Sequence, residues 1–256
     1  MKEQPLLTIV TITYNAAATV GRTMESVASQ TFDDYEHIII DGASSDATLS
    51  IVDGAAGAGR RRVQSEPDEG LYDAMNKGIG LARGEYLIFL NAGDKFHSST
   101  TLAEIAEAIR VNDFPGIVYG QTDLVDDHGH YIAPRHLTAP EKLTLRDFRR
   151  GMLVCHQAFV VLRRLAPLYD TRYRYSADYE WCIRCLMHSR RNVYTGSTLI
   201  DYLAEGLTTA NHKASLKERF RIMSHYYGFW PTLWRHVGFF FRNLKHKRQL
   251  KKNVHI

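Results

Sequence analysis

YLIFLNAGD, running from Tyr86 to Asp94, is the stretch whose reading decides the fold. Tyr86 to Leu90 is an unbroken apolar run with no polar alternation. That pattern predicts a strand buried on both faces, as in the middle of an α/β sheet. The strand delivers Asn91, Ala92, Gly93 and Asp94 at its carboxyl end. Open α/β sheets bind ligands at that edge. A carboxylate there acts on a negatively charged ligand through a divalent cation. The competing reading makes Asp94 the cap of a helix beginning near Ser98.

Upstream, Leu6–Thr13 is apolar and β-branched and predicts the first strand. Ala16–Gln30 then carries Val20, Met24, Val27 and Ala28 at helical spacing. Glu36–Asp41 predicts a second buried strand, and Ser44, Ser45 and Asp46 supply turn and cap chemistry for a helix through Val52. Arg62–Ser65 reads as a short third strand. Glu69–Leu81 reads as a loop entering a helix, with Tyr72 and Met75 as core residues. Strand and helix alternate through 1–112, so this half is of nucleotide-binding type, with a mostly parallel sheet covered on both sides.

Downstream, Thr101–Val111 is a predicted helix, and Ile117–Val125 with His130–Ala133 form a hairpin around Asp126–Gly129. Further strands are expected at Gln157–Leu162, Asn192–Tyr194 and Thr198–Leu203, and a helix at Tyr175–His188. The expected organisation is an α/β domain over 1–212, with 113–212 as its acceptor half, followed by a helical, aromatic and basic extension over 213–256.

The chain has 256 residues, of which 45% are hydrophobic and 23% charged, as suits a globular protein of one main domain. Its net charge of +4 is concentrated beyond Lys213. A basic bias confined to one end does not make a nucleic-acid surface. Cys155, Cys182 and Cys185 form no even disulfide set, and the Cys182–Cys185 spacing has no second pair to complete a zinc site. They read as reduced, buried thiols. The opening MKEQPLLTIVTITYN lacks the apolar segment of a secretory signal. No window reaches the roughly 20 apolar residues of a spanning helix. A cytoplasmic protein is expected, peripheral at the inner face of the membrane if the extension binds lipid.

Neither G-x-G-x-x-G nor a P-loop follows the first strand. What remains is a set of polar strand ends: Thr13-Tyr14-Asn15, Asp41 to Asp46, and Asn91 to Asp94. Successive strand ends of a parallel sheet converge on one crevice. Asp41 is placed to accept hydrogen bonds from a base or ribose, whereas Asp46 reads mainly as a helix cap. The segment Glu66–Gly78 is the densest in polar residues. Gly70 at the helix entry lets backbone N–H groups face a ligand, and Asp73, Asn76 and Lys77 are candidates to line the donor site.

Taken together, TIVTITYNA (Thr8–Ala16), HIIIDGASSDAT (His37–Thr48) and the run from Ser65 to Asp94 resemble the family 2 glycosyltransferases, in the manner of bacterial polysaccharide-building enzymes of the colanic-acid type. CHQAFV (Cys155–Val160) and SADYEW (Ser176–Trp181) fall where that family has its acceptor-side motifs. The resemblance covers roughly residues 6–205. It implies a GT-A fold and inverting transfer of a sugar from a nucleotide-sugar donor to a glycan or lipid-linked acceptor. By the same resemblance Thr13, Asn15 and Asp41 match the nucleotide pocket, and Tyr14 and Asn91, at the same strand ends, are further candidates to bind the nucleotide-sugar. Asp94 matches the last acid of a motif that binds Mg²⁺ or Mn²⁺ through the donor diphosphate, and Asp178 matches the catalytic base. His156 and Gln157 are candidates to touch the acceptor or diphosphate, with Glu180 as a substitute base. The chain departs from the family where many relatives carry Asp-x-Asp-Asp, because Asn91 and Gly93 replace two acids.

The chemistry asks for these parts. A sugar hydroxyl is a poor nucleophile until a carboxylate takes its proton, and the departing diphosphate gathers negative charge that a cation must stabilise. The thinned acid motif also admits a nucleotide-sugar-binding protein without turnover. A phosphoryl- or nucleotidyl-transferring enzyme would want more acids than are present. Tyr226–Phe241 concentrates aromatic residues ahead of a basic run at Arg242–Lys252. Pro231 is expected to break or kink a helix there. Such a segment suits a lipid headgroup region, or else packing on the main domain or a homodimer contact.

Overall fold

The computed structural model describes residues 4–204 and 212–237. Strands β1 (Leu7–Thr13), β2 (Tyr35–Asp41), β3 (Arg61–Ser65) and β4 (Tyr86–Phe89) alternate with helices α1 (Val20–Ala28), α2 (Thr48–Gly54) and α3 (Leu71–Leu81). A two-residue strand β5 (Lys95–Phe96) precedes α4 (Thr101–Val111). The second half adds β6 (Ile117–Val125), β7 (Tyr131–Pro134), β8 (Phe159–Leu162), α5 (Ala177–His188), β9 (Asn192–Leu203) and α6 (His212–Tyr227).

Among the described residues these strands form one mixed sheet in the order β3-β2-β1-β4-β8-β6-β9-β5, with β7 added to β6. The first four are mutually parallel, so Thr13 pairs with Asp41 at one edge of the sheet. β8 then runs antiparallel to both β4 and β6. The strand expectations at Asn192–Tyr194 and Thr198–Leu203 merge into one long β9, irregular opposite Gly120. β5 was not read from the sequence, because two residues carry no period.

β1 and β4 are buried at every position, β4 as its continuous apolar run requires and β1 with its threonines Thr8, Thr11 and Thr13 buried among apolar residues. Burying each such Leu, Ile or Phe side chain contributes about 1.5–3 kcal/mol. The turn into β4 lies hard against β1. A Cβ on Gly84 would sit 2.6 Å from the Thr8 backbone nitrogen and 2.7 Å from the Leu7 carbonyl carbon, so only glycine fits. On one side of the sheet an aromatic cluster carries α5. The Tyr169 and Trp181 rings stack at 5.0 Å, Phe89 meets Trp181 edge-on at 5.6 Å, and Tyr72 stacks on Tyr169 at 5.5 Å. α6 packs back on this body through buried Ile222 and Met223 and through the Tyr226 hydroxyl, which donates to Glu180.

The helix break expected at Pro231 comes earlier. Gly228, at φ +87°, ends α6, and a further helical stretch covers 229–237. Pro231 lies in the first turn of that stretch, where its missing N–H costs no hydrogen bond. Among the described residues no helix is long and apolar enough to cross a membrane. All three cysteines are free and buried, and burial pushes their thiols up.

Candidate active site

The first two strand ends are stitched into one rim. Asp41 is fully buried, and its carboxylate accepts from the Ser44 backbone N–H at 2.9 Å and the Ser65 hydroxyl at 2.7 Å. Asn15, at φ +46°, donates its N–H to the Ser44 hydroxyl, and its side-chain oxygen accepts from the Ser45 N–H. Asp46 accepts from the backbone N–H groups of Thr48 and Ala17, so it both turns the chain into α2 and ties this loop to the end of β1. The Thr13 hydroxyl is buried without a partner, whereas Tyr14 is 66% exposed. Gly42 lies between Tyr14 and Asp68, and a Cβ there would come within 2.6 Å of the Asp68 carboxylate.

The polar segment before α3 holds itself in shape. Asp68 accepts from the Gly70 N–H at 2.8 Å, and Gly70 takes φ +116° at the helix entry. Lys77 pairs with Glu66 at 2.9 Å and Asp73 at 3.6 Å. Asn76 gives both ends of its amide to the Tyr169 backbone, at 3.1 and 2.6 Å. It joins α3 to the segment before α5 and has no amide atom uncommitted to that joint.

Asp94 is not a helix cap. Its carboxylate is buried and held from two distant parts of the chain. Gln157 donates to Oδ2 at 2.8 Å, and the Leu203 N–H donates to Oδ1 at 3.0 Å. Burial pushes its carboxyl up to about 7, against the opposing pull of those two donors and of Arg22. Asn91, at the same strand end, has a buried side-chain oxygen with no partner. One carboxylate and one unsatisfied amide oxygen at this strand end are the oxygen donor types that a hard divalent cation takes. Two protein ligands hold such an ion weakly, so it would arrive with a phosphate-bearing substrate. The third position of the acidic motif is closed for a structural reason. Gly93 sits at φ +103°, and a Cβ on it would meet Leu203 Cδ2 at 2.8 Å.

Asp178 lies in the first turn of α5, where a helix favours negative charge. Its side chain is 18% exposed. The Tyr72 hydroxyl donates to Oδ1 at 3.2 Å, and the Tyr179 N–H donates to the same oxygen at 2.8 Å. His156 Nδ1 stands 3.6 Å from Oδ2. Burial lowers the His156 imidazole below its ordinary range, with Asp178 opposing. His156 and Gln157 are consecutive, so one short 3₁₀ turn links Asp178 to Asp94. Glu180 points elsewhere: one oxygen pairs with Arg184 at 2.7 Å, and the other accepts from Tyr226.

Sequence reasoning missed four features. Tyr72 was read as core; it is buried, and its hydroxyl is also a partner of Asp178. The Leu203 N–H is a backbone group, invisible to a search of residue types. Arg135 follows β7 and donates Nη1 to the Leu137 and Leu153 carbonyls. Its charge acts on Cys155, His156 and Tyr202, and among the described residues it has no carboxylate partner. The fourth is the set His97, Asp123 and Asp201, whose ligand atoms lie within 4.8 Å of one another and could hold a metal ion. Lys95 already pairs with Asp201 at 3.0 Å there. His128 and His130 are exposed. The cleft between α1 and α2, lined by Gly21, Glu25 and Ile51, brings together no comparable polar set.

A family model described as Glycosyl transferase family 2 matches residues 8–166. The chain is 35% identical over 186 residues to a PGL/p-HBAD biosynthesis glycosyltransferase of Mycobacterium bovis, covering 71% of this chain and 70% of that protein. S. aureus TarS 1–349 superposes with a TM-score of 0.69 at 15% identity, over 91% of this chain and 72% of that one. A mannosyltransferase of Pyrobaculum calidifontis, PcManGT, in complex with GDP-Man and Mn²⁺, gives 0.66 at 17% identity, over 92% and 70%. At those identities the superpositions speak for the fold, which is GT-A.

Proposed function

Because the chain belongs to glycosyl transferase family 2, we propose that it is an inverting glycosyltransferase of cell-surface glycan assembly with Asp178 as its base. Its donor is a nucleotide-sugar and its acceptor a hydroxyl of a glycan or lipid-linked glycan. The carrying observation is the placement of Asp178. It is a partly exposed carboxylate, held by Tyr72 and joined through His156 and Gln157 to the strand-end acid Asp94.

Asp178 takes the acceptor proton as the acceptor oxygen attacks the anomeric carbon. The bond from that carbon to the diphosphate oxygen breaks on the opposite face, and the nucleoside diphosphate leaves with the electron pair. Thr13, Tyr14, Asn15 and Asp41 border the nucleotide, with Asp41 shaping the rim, since Ser44 and Ser65 hold its carboxylate. Gly70, Asp73 and Lys77 border the donor from the α3 side. Asn91 and Asp94 would hold Mg²⁺ or Mn²⁺, which when bound neutralises the leaving diphosphate. Arg22 is the cation whose charge acts on Asp94, and Arg135 adds positive charge beside His156.

The catalytic unit is 1–212, and 213–256 is an extension that meets a membrane surface or a second copy. Phe229, Trp230 and Trp234 are exposed on it. The protein works at the cytoplasmic face of a membrane on this reading. A panel of nucleotide-sugars, followed by release of nucleoside diphosphate, tests the activity. A protein that binds nucleotide-sugar without turnover is the second reading, favoured by the Asn91 and Gly93 replacements. Tight donor binding with no release across the panel would establish it.

A further inference from the structure

We infer that His156 is a positioning residue that assigns the proton-accepting atom of Asp178 to Oδ2. The inference rests on Asp178 being the base and adds which of its atoms does the work.

An ionised carboxylate offers about four lone-pair directions, two on each oxygen. On Asp178, Oδ1 accepts from the Tyr72 hydroxyl at 3.2 Å and the Tyr179 N–H at 2.8 Å. Both of its directions are taken. Oδ2 faces His156 Nδ1 at 3.6 Å, within ion-pair reach and longer than a hydrogen bond. Hydrogen bonds at catalytic groups are often long before substrate arrives. One direction remains, and it lies on Oδ2.

The His156 side chain is 8% exposed, and its Nε2 is buried with no hydrogen-bond partner. A neutral ring carries one proton. With the proton on Nδ1, the ring donates to the carboxylate. With the proton on Nε2, it turns a lone pair toward a negative charge and buries an unpaired donor. The Nδ1–H tautomer is therefore assigned from the surroundings. An unpaired buried nitrogen weakens the fold, and an apolar side chain in the same space would avoid that loss. What the imidazole offers in return is its Nδ1 end. The neighbouring ionisable groups do not replace it: Tyr72 is committed to Oδ1, the Cys155 thiol donates to Gln157, and Arg135 is held by the Leu137 and Leu153 carbonyls.

Two measurements test this. The first is nitrogen NMR of the full chain labelled at histidine. It is expected to show His156 protonated at Nδ1, and Asp178→Ala is expected to move the proton toward Nε2. An Nε2–H ring in the wild type overturns the inference without touching the role of Asp178. The second compares His156→Phe with His156→Asn, whose amide nitrogen can stand near the position of Nδ1. Turnover is read as nucleoside diphosphate released from UDP-glucose, UDP-N-acetylglucosamine and GDP-mannose. His156→Phe is expected to keep or raise the Tm and leave the donor KM unchanged, while kcat falls by about 10²-fold, the cost of a misplaced catalytic group. His156→Asn is expected to recover part of that loss. Full turnover in His156→Phe, with Asp178→Asn inactive, overturns the inference alone. An active Asp178→Asn overturns the base reading beneath it.

Discussion

Gln157 Nε2 donates to Asp94 Oδ2 at 2.8 Å, which joins the end of the central strand to the turn that carries His156. The bond contributes to how readily Asp94 ionises. Burial pushes its carboxyl up to about 7, and Gln157 is one of the donors that pull it back down. Gln157→Leu removes a donor to the charged form, so the carboxyl moves further up. Mn²⁺ binding in the presence of nucleoside diphosphate is expected to weaken near pH 7 and to recover at higher pH, as Asp94 loses its proton. Calorimetry across pH checks this. Wild-type nucleoside diphosphate affinity that is the same with and without Mn²⁺ would remove the metal from Asp94.

The replaced acids lead to two opposite outcomes at neighbouring positions. Asn91 has a buried oxygen without a partner, so Asn91→Asp adds charge where a ligand atom already stands. It is expected to tighten divalent-cation binding. Gly93→Asp is expected to destabilise the protein and to tighten nothing, because φ is +103° and Leu203 Cδ2 blocks the Cβ. Backbone strain of this kind costs about 1–3 kcal/mol. Thermal melts and Mn²⁺ titrations of the two variants separate the cases.

Asp178→Asn keeps the hydrogen-bonding shape of the side chain and removes its basicity. Turnover is expected to fall about 10²–10⁴-fold while donor affinity stays within a small factor. Steady-state release of nucleoside diphosphate, set beside calorimetric donor binding, makes the comparison. Glu180 is not expected to substitute, since Arg184 and Tyr226 engage both of its oxygens.

His37 gives the fold a pH dependence unrelated to catalysis. It is buried in β2 against the Thr11 hydroxyl at 2.9 Å, and burial lowers its imidazole from 6.5 to about 3. Below pH 6.5 the unfolded chain takes up a proton that the folded chain refuses. The stability is therefore whole above pH 6.5 and is lost progressively as pH falls toward 3. The loss is on the order of a few kcal/mol. His37→Gln, which can keep a bond to Thr11, is expected to flatten the fall of Tm between pH 6.5 and 4. A wild-type Tm that is level across that range would contradict this.

Patterning made the first half of the sheet legible, since β1 is apolar and β-branched, β2 carries Ile38–Ile40, β4 is an apolar run, and α3 and α4 keep their spacing. The strand-end clusters were legible for the same reason: a parallel sheet puts Thr13, Asp41 and Asn91 at one edge. The partners were not. Asp94 is held by Leu203, 109 residues away, and Asp178 by Tyr72, 106 residues away. No local pattern encodes such pairings. Asn76 shows the converse limit: a polar residue in the right segment can be spent on the Tyr169 backbone.

The extension offers the last test. Trp230 is 68% exposed and Trp234 71%, with Phe229 beside them, and Arg235 and His236 share their helical stretch. The basic run at Arg242–Lys252 follows in sequence and lies outside the described residues. Aromatic rings beside cations suit the headgroup region of an anionic bilayer, where each nearby Lys or Arg contributes about 1 kcal/mol. Removing the chain from Tyr226 would confuse the result, because Tyr226 bonds Glu180 and Tyr227 bonds the Leu145 carbonyl. Trp230→Ala with Trp234→Ala touches no such joint and is expected to leave the Tm unchanged. The full chain is expected to cosediment with phosphatidylglycerol vesicles at low salt and to release at high salt, as screening removes the cationic attraction. The double variant is expected to bind about tenfold or more weakly, from the lost burial of two large rings. A full-length protein that stays in the supernatant with vesicles in excess, yet sediments as a dimer that the double variant dissolves, would give these rings to a second copy of the chain.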